Sequence, residues 1–114
     1  MKISIIIITK NSQKWIGKVL KRLEAYLDLP TVQVIFIDNF SNDNTVPIIV
    51  NTMGIRFLEE DRIKFFINNH NKDEQEIISK VANCEKCVII KENKNKRQIE
   101  KMIKENLKWY NYKE

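Results

Sequence analysis

Val34-Ile35-Phe36-Ile37-Asp38-Asn39-Phe40-Ser41-Asn42-Asp43-Asn44-Thr45 is the stretch whose reading decides the fold. An apolar run stops at a carboxylate, Asp38. A polar turn follows, and Asp43, Asn44 or Thr45 can then cap a helix. In an open α/β sheet, ligands bind in the crevice outside the carboxyl ends of the strands. Asp38 stands at such an end, where a carboxylate can accept hydrogen bonds from the base or sugar of a nucleotide.

The same alternation extends in both directions. Upstream, Ile3 to Thr9 is nearly all apolar and β-branched, the pattern of a strand buried on both faces. Asn11 or Ser12 offers an N-cap, and Ile16, Val19, Leu20, Leu23 and Leu27 recur at helical spacing until Pro30 ends the segment. Val32 to Ile37 forms the second strand. In the helix that follows, Pro47 is tolerated in the first turn. Its apolar positions are Val46, Ile49, Val50, Met53 and Phe57, and Gly54 leaves its end open between an early stop and a longer run. Ile63 to Ile67 reads as a third strand, residues 68–73 as a polar loop, and Glu74 to Val81 as a short helix. Cys87 to Ile90 reads as a fourth strand. A last helix spans Lys94 to Tyr110, with a stripe of Ile99, Met102, Ile103, Leu107 and Tyr110. Four strand–helix alternations predict a three-layer α/β/α architecture around a mostly parallel four-stranded sheet.

Size and charge set bounds. At 114 residues the chain fits one domain, residues 1–114, with no linker or internal repeat. Its composition, 43% hydrophobic and 31% charged, is that of an ordinary globular protein. No apolar run reaches the roughly 18 residues of a membrane helix. The Ile-rich start lacks a small-residue cleavage site and reads as a strand, so the cytoplasm is the expected location. The net charge is +5, and residues 91–114 carry most of it, with eight Lys or Arg against four Glu. Only Gly17 and Gly54 are present, which excludes a Gly-rich phosphate loop of the P-loop or dinucleotide-binding type. Thr9-Lys10-Asn11 lacks the paired acids of a receiver domain.

Two motifs on consecutive strands carry a family resemblance. The first strand ends Ile8-Thr9-Lys10-Asn11. The second ends Asp38-Asn39-Phe40-Ser41-Asn42-Asp43-Asn44-Thr45. Together they resemble the N-terminal part of family 2 glycosyltransferases, which have the GT-A fold. Those enzymes open with a strand ending in a Thr-Tyr-Asn-like turn, and their second strand ends Asp-Asp-Gly-Ser-Thr-Asp-x-Thr. The match holds at Asp38, Ser41, Asp43 and Thr45. Asn39 replaces the second acid, and Phe40 replaces a glycine. The resemblance implies a nucleotide or nucleotide-sugar site between the two strand ends. Thr9 and Asn11 would lie in the first nucleotide-contacting loop, Asp38 would read the base or ribose, and Asn39 would sit beside it.

The resemblance also implies a divalent cation, Mn²⁺ or Mg²⁺, held by an Asp-x-Asp motif after the fourth strand. Here that strand runs into Lys91-Glu92-Asn93-Lys94-Asn95. Glu92 is the only acid nearby, and Lys94 stands about where the second acid belongs. A hard cation needs several oxygen ligands, which one Glu beside an ammonium does not supply. Family members continue into an acceptor-binding half that carries the general base needed for inversion, and nothing after residue 95 resembles it. The chain is therefore expected to be a reduced form that binds nucleotides without transfer, to act with a partner, or to use the scaffold for another purpose.

Other features have plainer readings beside functional ones. Asp38 can cap the turn after its strand, and Asp43 suits a helix cap better than a ligand. Cys84-Glu85-Lys86-Cys87 precedes a strand instead of opening a helix, and zinc needs four ligands, so buried cysteines or a local disulfide fit better than a redox or metal site. His70 lies in a polar loop without a companion, and Trp15 anchors the start of the first helix. Basic residues interleaved with Trp109, Tyr110 and Tyr112 suit nucleic-acid binding, but an amphipathic helix with a solvated Lys face explains them more simply. A homodimer is the third alternative, since a small sheet leaves an edge or an apolar face to cover.

Overall fold

A computed structural model describes residues 3–69, 72–81 and 86–111, with side chains not described at 81, 86 and 106–111. His70, Cys84 and Tyr112 lie outside the described residues, as do the side chains of Leu107, Trp109 and Tyr110. Eight elements alternate along the chain: β1 (Ile3–Thr9), α1 (Ile16–Leu27), β2 (Val32–Asp38), α2 (Thr45–Glu59), β3 (Ile63–Ile67), α3 (Glu74–Val81), β4 (Lys86–Ile90) and α4 (Lys96–Asn111). All strand pairs are parallel, in the order β3-β2-β1-β4.

This order explains where the helices lie. The chain steps from β1 to β2 to β3 in one direction and then returns past both to β4. Right-handed crossovers put the helices of the outward steps on one face and the helix of the return on the other. Accordingly, Val19, Leu23, Ile49 and Met53 from α1 and α2 pack against Ile5, Ile7, Val34 and Phe36. On the opposite face Ile78 of α3 meets Ile6, Ile8, Ile35 and Ile37. Beyond β4, α4 returns to the first face through Ile99 and Ile103.

The two central strands are buried along their whole length, so both faces of the pleat are apolar and the binary alternation of an exposed sheet is lost. Each fully buried isoleucine contributes on the order of 1.5–3 kcal/mol of transfer free energy. Phe57 of α2 sits edge-on to both Phe36 and Phe65, with centroids 5.9 and 5.8 Å apart, and ties the first face to edge strand β3. One polar pair interrupts the second face: Ser4 Oγ donates to Gln33 Oε1 at 2.7 Å, and both residues are buried.

Several boundaries differ from the sequence reading. β2 includes Asp38 itself, so the carboxylate is the last strand residue. Neither Asn11 nor Ser12 caps α1. Ser12 instead starts a turn in which Trp15 and Ile16 donate to its carbonyl, and the helix begins at Ile16. α2 continues past Gly54 to Glu59, because Met53 before the glycine and Phe57 after it hold the helix to the sheet. α4 begins at Lys96, not Lys94. Asn95 and Gln98 exchange backbone-to-side-chain hydrogen bonds of 2.9 and 2.8 Å in a reciprocal capping box.

Candidate functional site

Parallel pairing of β1 with β2 places Thr9 directly opposite Asp38, so both strands end at the same level. Thr9 Oγ1 donates to Asp38 Oδ1 at 2.7 Å, and the Asn39 amide donates to the Thr9 carbonyl at 2.8 Å. The Ser41 hydroxyl also reaches Asp38 Oδ1, at 2.6 Å, and the Ser41 amide reaches Oδ2, at 2.8 Å. Asp38 is only 1% exposed, and its carboxylate accepts three hydrogen bonds of about four possible. It works as the clasp of a loop pair.

The clasp extends outward as a zipper between the β1–α1 and β2–α2 loops. The Asn11 amide donates to Ser41 Oγ at 2.8 Å, and the Asn42 amide donates to Asn11 Oδ1 at 2.7 Å. Lys10 Nζ donates to the Phe40 carbonyl at 2.8 Å. The Ser12 amide donates to Thr45 Oγ1 at 2.7 Å. Asp43 Oδ1 accepts from the Thr45 amide at 2.9 Å and from the Thr45 hydroxyl, and Asp43 Oδ2 accepts from the Gln13 amide. Burial alone would raise the Asp43 pKa. The Thr45 hydroxyl and the Thr45 and Gln13 amides outweigh that and hold the carboxyl below its usual range. Asp43 thus ties the turn before α2, while the N-cap position itself is Asn44 and carries no side-chain cap hydrogen bond.

Two residues of this zipper have positive φ, Asn11 at 48° and Phe40 at 58°. Asparagine tolerates the left-handed region, but a bulky side chain there costs about 1–2 kcal/mol. The turn therefore keeps a conformation suited to glycine while carrying a phenyl ring.

Asn39 points away from the clasp into a second network. The Asn68 amide group donates to Asn39 Oδ1 at 2.9 Å, and Asn39 Nδ2 donates to Glu74 Oε1 at 3.3 Å. Glu74 Oε2 in turn pairs with Lys91 at 2.7 Å. This links the carboxyl ends of β2, β3 and β4 through the first residue of α3. Sequence reading left Asn68 and Glu74 without roles, since only the strand order brings them beside Asn39. Of the four residues proposed from sequence, Thr9 and Asp38 are buried and face each other. Asn11 is exposed and Asn39 is half-buried.

Glu92 does not meet the requirement for a metal ligand set. It is exposed and pairs with Lys94 Nζ at 2.8 Å. That hydrogen bond, and then the charge of Lys94, holds its carboxyl below the usual range. Among the described residues, no group of three or more His, Cys, Asp or Glu gathers around a common point. The β4–α4 connection is instead tied to α1, where Arg22 donates to Asn93 Oδ1 and to the Lys94 carbonyl at 2.9 and 2.6 Å.

These parallel strands and their flanking helices form an α/β domain of the GT-A, Rossmann-like type. The family model for glycosyl transferase family 2 matches residues 4–76, and the chain belongs to that family. The fold is similar to that of S. aureus TarS residues 1–349 in complex with UDP, with a TM-score of 0.64 and 24% identity over 91% of this chain. A second structure of S. aureus TarS residues 1–349 gives 0.63, again at 24% identity and 91% coverage. A longer TarS structure gives 0.60 at 23% identity over 92%. The chain covers 31%, 32% and 20% of these three proteins. No curated protein matches the chain. Among the described residues, no helix is long and apolar enough to cross a membrane.

Proposed function

We propose that this chain binds a nucleotide or nucleotide-sugar across the joined carboxyl ends of β1 and β2, as a glycosyltransferase-like binding half. The observation that carries this reading is the Thr9–Asp38 clasp, which fixes two polar loops side by side at the sheet edge where α/β folds bind ligands. In this reading Asn11 faces the ligand and Asn39 reaches it by exchanging its Asn68 or Glu74 partner, while Thr9 and Asp38 set the loops that present them. Asp38 contacts a base or ribose directly when a ligand donor replaces one of its Ser41 partners, an exchange that leaves the number of hydrogen bonds unchanged. The UDP in the TarS complex makes a uridine nucleotide the first ligand to try.

Sugar transfer is a further step and needs positive charge at the leaving diphosphate. Lys91 and Lys94 are the cations at the end of β4, each held by a glutamate. Exposed pairs of this kind contribute about 0–1 kcal/mol, so a diphosphate can displace the carboxylates. Calorimetric titration with UDP- and GDP-sugars, with and without Mn²⁺, tests the reading. Binding by the wild type that is lost in Asn11→Ala and Asn39→Ala is expected, and a wild type that binds none of these ligands removes it.

A second reading, self-association, is favoured by one specific observation. Val50, Ile55 and Leu58 on α2 and Ile67 on β3 are exposed, and β3 is an edge strand with an apolar groove beside it lined by Val50, Phe57, Phe65 and Phe66. Static light scattering checks it, with a dimer mass that falls to the monomer in Leu58→Glu. The basic face of α4 fits the plainer reading: Lys101 and Lys104 are exposed while Ile99 and Ile103 are buried.

A further inference from the structure

We infer that Phe40 is the aromatic platform on which the base of a bound nucleotide stacks. The inference rests on the nucleotide reading above and adds to it the residue that recognises the base.

Phe40 is anomalous in three independent ways. Its ring belongs to neither core cluster and is 59% exposed, so it gains little from burial. Its backbone is in the left-handed region, φ 58°, which a phenylalanine enters only at a cost to the fold. It also sits at the head of the loop zipper, two residues after Asp38. A large side chain that weakens the fold and buries little is retained by a function outside the core, and backbone strain held in place by its surroundings gathers at ligand sites.

The surroundings hold the backbone that carries the ring in place. Lys10 fixes the Phe40 carbonyl, and Asp38 fixes both the amide and the hydroxyl of Ser41, the next residue. The αL turn is therefore clamped on both sides, so the backbone loses little further freedom when a flat ligand settles on the ring. Polar groups flank it. Asn11 Oδ1 is engaged by the Asn42 backbone amide, while no hydrogen bond of Asn11 Nδ2 or of the Asn42 side chain is seen among the described residues. They can offer donors and an acceptor to the edge of a stacked base. An exposed π-face beside adaptable amides suits a nucleobase, because every base has a face to stack and an edge to bond. The position facing Phe40 in the β1 loop is Lys10 or Asn11, neither of which supplies a ring. The aromatic surface of this site thus comes from the β2 side.

Four variants separate ring from strain. Phe40→Ala removes the ring and keeps the strained Cβ. Phe40→Gly removes both. Phe40→Tyr and Phe40→Trp keep a ring. Affinity for UDP, uridine and base-free pyrophosphate is measured by calorimetry, with thermal melts in parallel. UDP and uridine should bind roughly 5- to 150-fold more weakly to Phe40→Ala and Phe40→Gly, the range for losing one stacked base. Pyrophosphate should bind all variants alike. Phe40→Tyr should bind like wild type, and Phe40→Trp fluorescence should be quenched by uridine. Phe40→Gly should melt no lower than Phe40→Ala despite equal loss of affinity, which a merely structural role would not produce. Wild-type binding of UDP that is unchanged in Phe40→Ala, or a loss that extends equally to pyrophosphate, overturns the platform alone. A wild type that binds neither UDP nor uridine overturns the nucleotide reading itself, and the platform with it.

Discussion

The junction of β1 with β2 and the connection from β4 to α4 lie on one edge of one sheet, yet they are built in opposite ways. At the junction, Asp38 and Thr9 are buried and bonded to each other, and Asn39, Ser41 and Asn68 converge on them through short hydrogen bonds. At the connection, Glu92 and Lys94 pair at the surface, and the loop is secured from outside by Arg22. Both contain a carboxylate that the sequence resemblance singled out. What separates them is desolvation. A buried carboxylate must have its hydrogen bonds satisfied by protein, so it organises everything around it. An exposed one is satisfied by water and organises little. The same residue type is therefore structural in one place and dispensable in the other, whatever the motif suggests.

The largest test of this contrast is Asp38→Ala. It strands the Thr9 and Ser41 donors at a buried site, and a loss of about 2–4 kcal/mol is expected in urea denaturation. A loss near zero would mean that the clasp is no tighter than the surface pair. Asn95→Ala at the connection removes one arm of the α4 capping box and should cost about 1 kcal/mol in the same measurement. The next test is pH. The folded-state pKa of Asp43 lies below its unfolded value, so its contribution is present above the ordinary carboxylate pKa and is lost as pH falls through the folded value. Stability should therefore decline on acidification below about pH 4, and Asp43→Asn should flatten that limb. Smallest of all, Glu92→Gln should leave the thermal midpoint at neutral pH where it is and leave any Mn²⁺ response of the wild type unchanged. A clear loss of Mn²⁺ binding in that variant would reverse the assignment of Glu92 as a surface partner.

Much of the fold was legible because it rests on period and punctuation. Ile3 to Thr9 and Val32 to Ile37 are unbroken apolar runs, and no surface strand tolerates that on both faces. The α1 stripe of Ile16, Val19, Leu20, Leu23 and Leu27 is buried at every position. The helix starts were less legible. Asn11 and Ser12 are good caps by residue type, but their groups are engaged by Ser41, Asn42 and Thr45 from the neighbouring loop, a competition invisible in a linear reading. Gly54 left the end of α2 open, and packing on both sides outweighs its weak helix propensity. In the candidate site, the motif pointed correctly to Thr9 and Asp38 as neighbours. It could not tell that Ser41 would join them, or that Asn39 would turn to Asn68 and Glu74 while Asn11 stays exposed.

By itself the sequence determined the alternation of strand and helix, the two ligand-edge motifs and their family, because each depends on residues close along the chain. Only the tertiary structure decided which distant polar groups meet: Asp38 with Thr9, and Asn39 with Asn68 and Glu74. Hydrogen-bond partnership is a matter of distance and burial, and both are set by strand order and register, which bring together residues about 30 positions apart.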